Sequence, residues 1–181
     1  DTAVITTAAI TNATYSWNRN LDASFPLGSS AQSLIDLGYT PKEIYDAGYP
    51  LSLIYGVEYE GGILFFLDPV NDIGYVASTS MIYLPWDNHQ GWEFGCYQTS
   101  IGTSQSIGSG KNNTDLIVNN CDTNTIAYKC VTHFNKNGYN DWFIASENEL
   151  LELYNNIYTQ GYTSLFDANV FAKSSDNDLG M

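Results

Sequence analysis

The sequence predicts an α+β fold in which short antiparallel strands, two helices and long loops follow a series of short helical repeats. Three observations predict it: a ten-residue repeat with helix-capping residues, two apolar runs separated by turn residues, and a short apolar run that leads into an amphipathic helix. A chain of 181 residues is long enough for one domain with its own core. We divide it into an extended arm at 1–30, the helical repeats at 31–56 and the main domain at 57–181.

The net charge of the chain limits the classes of partner that it is expected to bind. Six Lys and Arg residues against 20 Asp and Glu residues give a formal net charge of −14. Nucleic acid and an anionic membrane surface are therefore not expected as partners, because both need a clustered basic face. Membrane insertion is not expected either, since the longest apolar run, at 63–67, has the length of a strand. The first residue is Asp1 rather than Met, which we interpret as a processed product that is secreted or displayed on the cell surface.

The N-terminal arm begins with a candidate strand. Residues 3–10 form a run rich in β-branched residues, Thr and Ala, which favours an extended conformation. Because no turn residues place a second strand beside it, this segment is expected to pair with a distant strand.

The next segment repeats with a ten-residue period and predicts a chain of one-turn and two-turn helices. Thr40 is a candidate N-cap, Pro41 occupies the first helical position, Glu43 the third, and Gly48 the left-handed C-cap. The apolar and aromatic positions that recur in register are Leu34, Ile44 and Ile54, with Tyr39 and Tyr49. We expect these helices to pack on the main domain. The alternative is that their tyrosines form a surface for stacking sugars.

The main domain opens with a predicted hairpin. Apolar strands at 62–67 and 73–78 are joined through Asp68-Pro69 and Asn71-Asp72. A loop-rich middle follows, and Asn113 or Thr114 is the predicted N-cap of a short helix.

A predicted strand-to-helix junction lies at 138–150. The apolar run of residues 141–145 predicts a short buried strand, and Ser146 with Glu149 has the spacing of a capping box. Trp142, Ser146 and Glu149 are therefore assigned to the fold junction. An apolar stripe at helical spacing follows, formed by Leu150, Leu153, Tyr154 and Ile157.

Three cysteines suit one disulfide and one remaining thiol. Cys121 and Cys130 enclose a short polar segment, which predicts a local bridge in an oxidising compartment and leaves Cys96 over. The alternative is three buried reduced thiols.

Motifs for catalysis are not found. The segment 107–114 resembles a phosphate-binding loop, but Gln105 stands where its first glycine belongs and Asn112 follows the lysine. Two histidines, His89 and His133, are too few for a multi-histidine metal site, and no GxSxG motif is present. An enzyme is therefore not predicted.

No cofactor is predicted with a defined ligand set, and calcium is the one that the sequence allows. Four carboxylates lie in predicted turns, where hard cations take oxygen ligands, although no EF-hand pattern is present. These residues are Asp68, Asp72, Asp87 and Asp141.

Several segments resemble, in order, a bacterial surface domain family of the Lcl C-terminal type. They are YEGGILFFLDP with GYVAS, WEFGC with IGTSQSIGSGKNNTDLIVNNC, AYKC, and GYNDWFIASENEL, which together cover residues 57 to 160. The last segment is similar to the family's Gly-Tyr-x-Asp-Trp-x-Leu-Pro-Ser-x-x-Glu-Leu motif, with Ile144 in place of Leu and Ala145 in place of Pro.

The resemblance implies a C-type-lectin-like domain with Trp142 at its centre, secreted or attached to the cell surface. The family includes an adhesin for sulfated polysaccharide, a ligand that the charge of this chain disfavours. After the helix this sequence lacks the further strands of the family. Either the protein continues beyond Met181, or a strand from elsewhere completes the sheet.

These observations predict a non-enzymatic lectin-like domain for adhesion or ligand binding, whose partner is a glycan or a surface protein. The candidate ligand-binding residues are aromatic and polar residues of the loops: Trp86, Asp87, Trp92, Asn140 and Asp141. The alternative is a structural subunit of an extracellular filament or particle coat, which copies of the chain assemble by strand exchange through the N-terminal segment.

Overall fold

The structure is a computed structural model. It describes residues 29–79, 95–96, 98–123, 125–133, 135 and 138–162, so the predicted strand at 3–10 lies outside the described residues. The described residues form an α+β fold with several helices and a three-stranded antiparallel sheet. No helix among them is long and apolar enough to cross a membrane.

The repeats form three short helices, α1 (Ala31–Asp36), α2 (Pro41–Asp46) and α3 (Leu51–Ile54). The predicted capping box of α2 is confirmed: the Thr40 hydroxyl accepts from the Glu43 N–H at 3.2 Å, and the Glu43 carboxylate accepts from the Thr40 N–H at 2.8 Å. Gly48 has the positive φ of 97° that a left-handed C-cap requires. The residues that recur in register, Leu34, Ile44 and Ile54, are fully buried, one from each helix.

The sheet consists of β1 (Glu58–Tyr59), β2 (Gly62–Asp68) and β3 (Ile73–Ala77), in the order β1-β2-β3. The predicted hairpin is therefore confirmed as β2 and β3. Its register is interrupted between Leu64 and Phe66, where a β-bulge leaves Phe65 outside the regular pairing.

Three further α-helices complete the described part of the chain: α4 (Gly110–Asn120), α5 (Ile126–His133) and α6 (Glu147–Leu153), and a π-helical turn at Tyr154–Tyr158 follows α6. The described part of the main domain thus holds one more α-helix than the two predicted, α5. The prediction that Asn113 or Thr114 caps α4 is wrong, because the helix begins one turn earlier, at Gly110, after Ser109. Asn113 instead bonds the backbone of Ser104, and Thr114 turns into the core.

The core has two apolar clusters on opposite faces of the sheet, because alternate residues of β2 and β3 belong to different clusters. The repeat-side cluster contains Leu34, Ile44, Ile54, Leu64, Val76, Trp142 and Ile144. The helix-side cluster contains Ile63, Phe65, Tyr75, Ala77, Phe143, Leu153 and Ile157. Tyr39 and Tyr49 pack against the repeat-side cluster, so the structure favours packing over the alternative of a sugar-stacking surface.

The prediction of a strand at 141–145 is wrong, because these residues pair with no strand of the described sheet. The side chains of this segment alternate between the two clusters, as those of a strand would. Its backbone, however, bonds to a side chain instead of a neighbouring strand: the Ile144 N–H donates to the Thr114 hydroxyl at 3.0 Å. A buried backbone amide needs a partner, and α4 supplies it through Thr114.

The predicted disulfide between Cys121 and Cys130 is also wrong. Cys121, directly after α4, is bonded to Cys96, which lies 25 residues earlier. Cys130 is a free, buried cysteine because α5 turns it into the repeat-side cluster, where its thiol makes a weak hydrogen bond to the Trp142 carbonyl at 3.7 Å. The short spacing was misleading because α5 begins at Ile126, so residues 126–129 before Cys130 are helical rather than part of a loop.

Candidate functional site: a cleft at the first hairpin

The hairpin between β1 and β2 borders a cleft of about 200 Å³. Its lining combines carboxylates, a tyrosine and backbone, and consists of Glu58, Tyr59, Glu60, Gly61, Gly62, Ile63 and Thr79. Position 62 of the lining has no room for a side chain, since a Cβ there would lie 2.6 Å from the Ala77 carbonyl oxygen.

Glu60 occupies a strained position in the turn of this hairpin. Tyr59 pairs with Gly62, so Glu60 and Gly61 form a two-residue turn, with φ values of 45° and 84°. Two positive φ values define a type I′ turn, which favours Asn or Gly at its first central position. A glutamate in this conformation is uncommon, and such strain often occurs at functional sites.

Asp141, one of the predicted ligand-binding residues, is brought close to Glu60. Burial raises the pKa of Glu60, and the negative charge of Asp141 raises it further. The hairpin and the segment before α6 thus place two carboxylates, more than 80 residues apart in sequence, in one electrostatic environment. Asn140, the adjacent predicted residue, is exposed.

Two tyrosines share this environment. Burial raises the pKa of Tyr59, with a further contribution from Glu60. Burial, Glu60 and Asp141 raise the pKa of Tyr139. Both phenols therefore keep their protons at neutral pH and can donate and accept hydrogen bonds.

The other predicted ligand-binding residues, Trp86, Asp87 and Trp92, lie outside the described residues. Sequence reasoning missed Tyr59 and Glu60. The available signal was the Glu60-Gly61 pair before the apolar strand β2, where Glu stands in place of the Asn, Asp or Gly usual in a type I′ turn.

Of the four turn carboxylates that could take calcium, Asp87 lies outside the described residues, and the other three are Asp68, Asp72 and Asp141. No group of three or more His, Cys, Asp or Glu residues in the described part of the chain is placed to hold a metal ion. The Asp68 carboxylate accepts from the backbone N–H groups of Val70 and Asn71 at 3.0 and 3.1 Å, and from the Asn71 side chain at 2.6 Å. These bonds close the turn and lower the pKa of Asp68.

The three junction residues have the structural roles predicted for them. Trp142 is buried and its indole N–H donates to the Tyr139 carbonyl at 2.9 Å. The Ser146 hydroxyl accepts from the Glu149 N–H, and the Glu149 carboxylate accepts from the Ser146 N–H at 2.7 Å, which confirms the capping box. The Trp142 bond spans Asn140 and Asp141, and so restrains the backbone on both sides of that pair.

Comparison with models of protein families, with curated proteins and with solved structures finds no significant match to this chain.

Proposed function

We propose that this protein is a non-enzymatic binding domain that is secreted or displayed on a bacterial cell surface, and that it holds a glycan in the cleft at the first hairpin. The observation that carries the proposal is the cleft lined by Glu58, Tyr59 and Glu60, where burial and the negative charge of the distant Asp141 raise the pKa of Glu60. The sequence motifs that resemble Lcl C-terminal domains also support the proposal, because that family has a lectin-like fold.

The chemistry of the cleft fits a sugar that carries no negative charge. Ionised carboxylates accept strong, short hydrogen bonds from hydroxyl groups. Tyrosine adds an apolar ring face together with a polar end. The lining contains no Lys, Arg or His residue, and the chain carries a net charge of −14, so a sulfated or phosphorylated glycan would be repelled.

The disulfide supports the proposed location. A bond between Cys96 and Cys121 persists in an oxidising environment, such as the outside of the cell.

Binding of the purified chain to an array of neutral, cationic and sulfated oligosaccharides tests the proposal. We expect saturable binding to neutral or cationic sugars, and none to the sulfated ones. Glu60→Gln and Asp141→Asn should each weaken it about tenfold, because losing one hydrogen bond to a charged group costs about 1.5–3 kcal/mol. Asp115→Asn is the matched control, since Asp115 lies on α4 in a surface pair with Lys111.

Two outcomes would contradict the proposal. If no array sugar binds, or if the cleft variants bind as tightly as Asp115→Asn, the cleft is not the site. A carboxylate pair in which one pKa is raised is also what glycoside hydrolases use. Release of reducing sugar from a bound oligosaccharide would therefore replace the non-enzymatic proposal with a hydrolytic one.

A further inference from the structure

The side chain of Gln32, in helix α1, makes two hydrogen bonds to the backbone of Glu58, in strand β1. The Glu58 N–H donates to the Gln32 Oε1 at 2.7 Å, and the Gln32 Nε2 donates to the Glu58 carbonyl oxygen at 3.3 Å. The two residues are 26 positions apart in sequence. The helical repeats are thus joined directly to the hairpin that borders the cleft.

This pair of bonds resembles the pairing of a neighbouring strand. In an antiparallel sheet, alternate residues of a strand turn their N–H and C=O groups away from the partner strand. Glu58 pairs with Ile63 of β2 on one side, and its two backbone groups meet the Gln32 amide on the other. A primary amide offers donors and an acceptor side by side, as a strand backbone does. Gln32 therefore takes the place of a strand residue beside β1.

Asp36 determines which way the Gln32 amide faces. The Gln32 Nε2 also donates to the Asp36 carboxylate at 2.9 Å, one turn later on α1. A carboxylate only accepts hydrogen bonds, so the NH₂ group must face Asp36 and the Oε1 is left for the Glu58 N–H. Asp36, Gln32 and Glu58 thus form one chain of hydrogen bonds from α1 to β1.

The conformation of this hairpin needs such support. Strand β1 contains two residues, and Glu60 and Gly61 directly after it have positive φ values. A hairpin this short has little stability of its own, and a non-glycine residue with positive φ persists only where its surroundings fix the backbone. Gln32 holds the chain two residues before Glu60, from the side opposite to β2. The cleft lining contains Glu58 and Glu60 but not Gln32, so Gln32 acts on the cleft through the backbone.

We propose that Gln32 is a positioning residue for the cleft: its two bonds to Glu58 hold the Glu60 turn in place and so set the affinity of the cleft for its ligand. This inference rests on the proposed function of the cleft as a glycan site. It makes the helical repeats part of the binding unit, because α1 sets the shape of the hairpin that lines the cleft.

Gln32→Met in the full chain tests the proposal, because methionine has a similar length and helix propensity but cannot replace the two hydrogen bonds. The probe is the array oligosaccharide that binds the unmodified chain most tightly. We expect Gln32→Met to bind it about three- to tenfold more weakly, as the loss of hydrogen bonds predicts. The matched control is Gln160→Met, since Gln160 bonds Asn155 and Thr159 of its own turn. This control should bind like the unmodified chain.

Two NMR measurements on the ligand-free chain show whether the turn itself has moved. The Glu58 amide hydrogen should exchange about tenfold faster or more in Gln32→Met, because its acceptor is gone. The pKa of Glu60, which burial and the charge of Asp141 raise, should fall toward its ordinary value of 4.5 as the turn shifts. Chemical denaturation should show that both variants are fully folded under the assay conditions, so that these changes report on the hairpin and not on unfolding.

The outcomes separate this inference from the proposed function. If an array sugar binds, and Gln32→Met binds it as tightly as Gln160→Met does, the positioning inference is wrong and the glycan site stands. An unchanged Glu60 pKa in Gln32→Met would also overturn the inference. If no array sugar binds, the proposed function fails, and the two NMR measurements still decide whether Gln32 positions the turn.

Discussion

Glu149, whose side chain is fully buried, accepts a hydrogen bond at 2.8 Å from the backbone N–H of Gly108, 41 residues earlier in the chain. The same carboxylate accepts from the Gly110 N–H at 3.4 Å and from the Ser146 N–H at 2.7 Å. One side chain therefore satisfies donors at the start of both α4 and α6. No basic residue is needed, because backbone N–H groups and the two helix N-termini compensate the buried charge.

Gly110→Ala is expected to destabilise the fold. A Cβ at this position would collide with the Glu149 carboxylate and lie 2.7 Å from a ring carbon of Phe143. Overpacking of this kind costs about 1–3 kcal/mol in the free energy of unfolding, measured by chemical denaturation. Gly95→Ala is the control, since its Cβ would meet its nearest neighbour, Ile117, at an ordinary 3.9 Å. Equal stability of the two variants would contradict this packing.

Glu149→Gln is expected to destabilise the fold although the shape of the side chain is kept. The amide offers one acceptor oxygen where the carboxylate offers two, so its NH₂ group must face a backbone donor. The cost is about 1–3 kcal/mol, because a buried N–H loses its acceptor. Glu147→Gln, in the same first turn of α6 but exposed, should change the unfolding free energy by no more than about 0.5 kcal/mol. If both variants unfold alike, the Glu149 carboxylate does not hold the two helices together.

The pKa of Glu60 is expected to fall in Asp141→Asn, because a like charge has been removed, and to stay above the ordinary value of 4.5, because burial is the larger cause. Carboxyl-carbon NMR titration measures it directly. A raised carboxyl pKa stabilises the fold below pH 4.5, and this contribution is lost as pH rises through the folded-state pKa. The substitution should make that loss smaller. An unchanged Glu60 titration would show that the two carboxylates do not interact.

Cys130 is expected to resist thiol reagents in the folded protein. Burial raises the pKa of its thiol to about 12, so almost no reactive thiolate forms at pH 8. Thiol titration of the unfolded, unreduced chain should find one group, and reduction should raise the count to three. Peptide mapping without reductant should recover Cys96 linked to Cys121. A recovered link between Cys121 and Cys130 would restore the pairing that the sequence spacing predicted.

The sequence predicted features that depend on neighbouring residues. The capping boxes at Thr40 and Ser146 are fixed by residues three positions apart, and the hairpin of β2 and β3 by its turn residues. The start of α4 was misplaced because Asn113 and Thr114 are good capping residues in isolation, whereas their side chains serve Ser104 and Ile144.

Features that depend on contacts between distant residues could not be predicted from local sequence patterns. Cys96 meets Cys121 only because the chain folds back over 25 residues, and the spacing of the cysteines does not encode that path. The effect of Asp141 on the pKa of Glu60 likewise depends on residues more than 80 positions apart. Asp141 was predicted because the capping pattern left it unexplained, while at Glu60 the sequence shows only a possible turn, and the positive φ of 45° comes from the structure.

The most direct test of the proposed function is NMR mapping of a bound neutral oligosaccharide on the isotope-labelled chain. We expect saturable changes in NMR chemical shift that are concentrated at residues 58–63, Thr79 and 139–141. These changes should be lost in Glu60→Gln. Saturable changes confined to another surface, with residues 58–63 unmoved, would contradict the assignment of the cleft as the binding site.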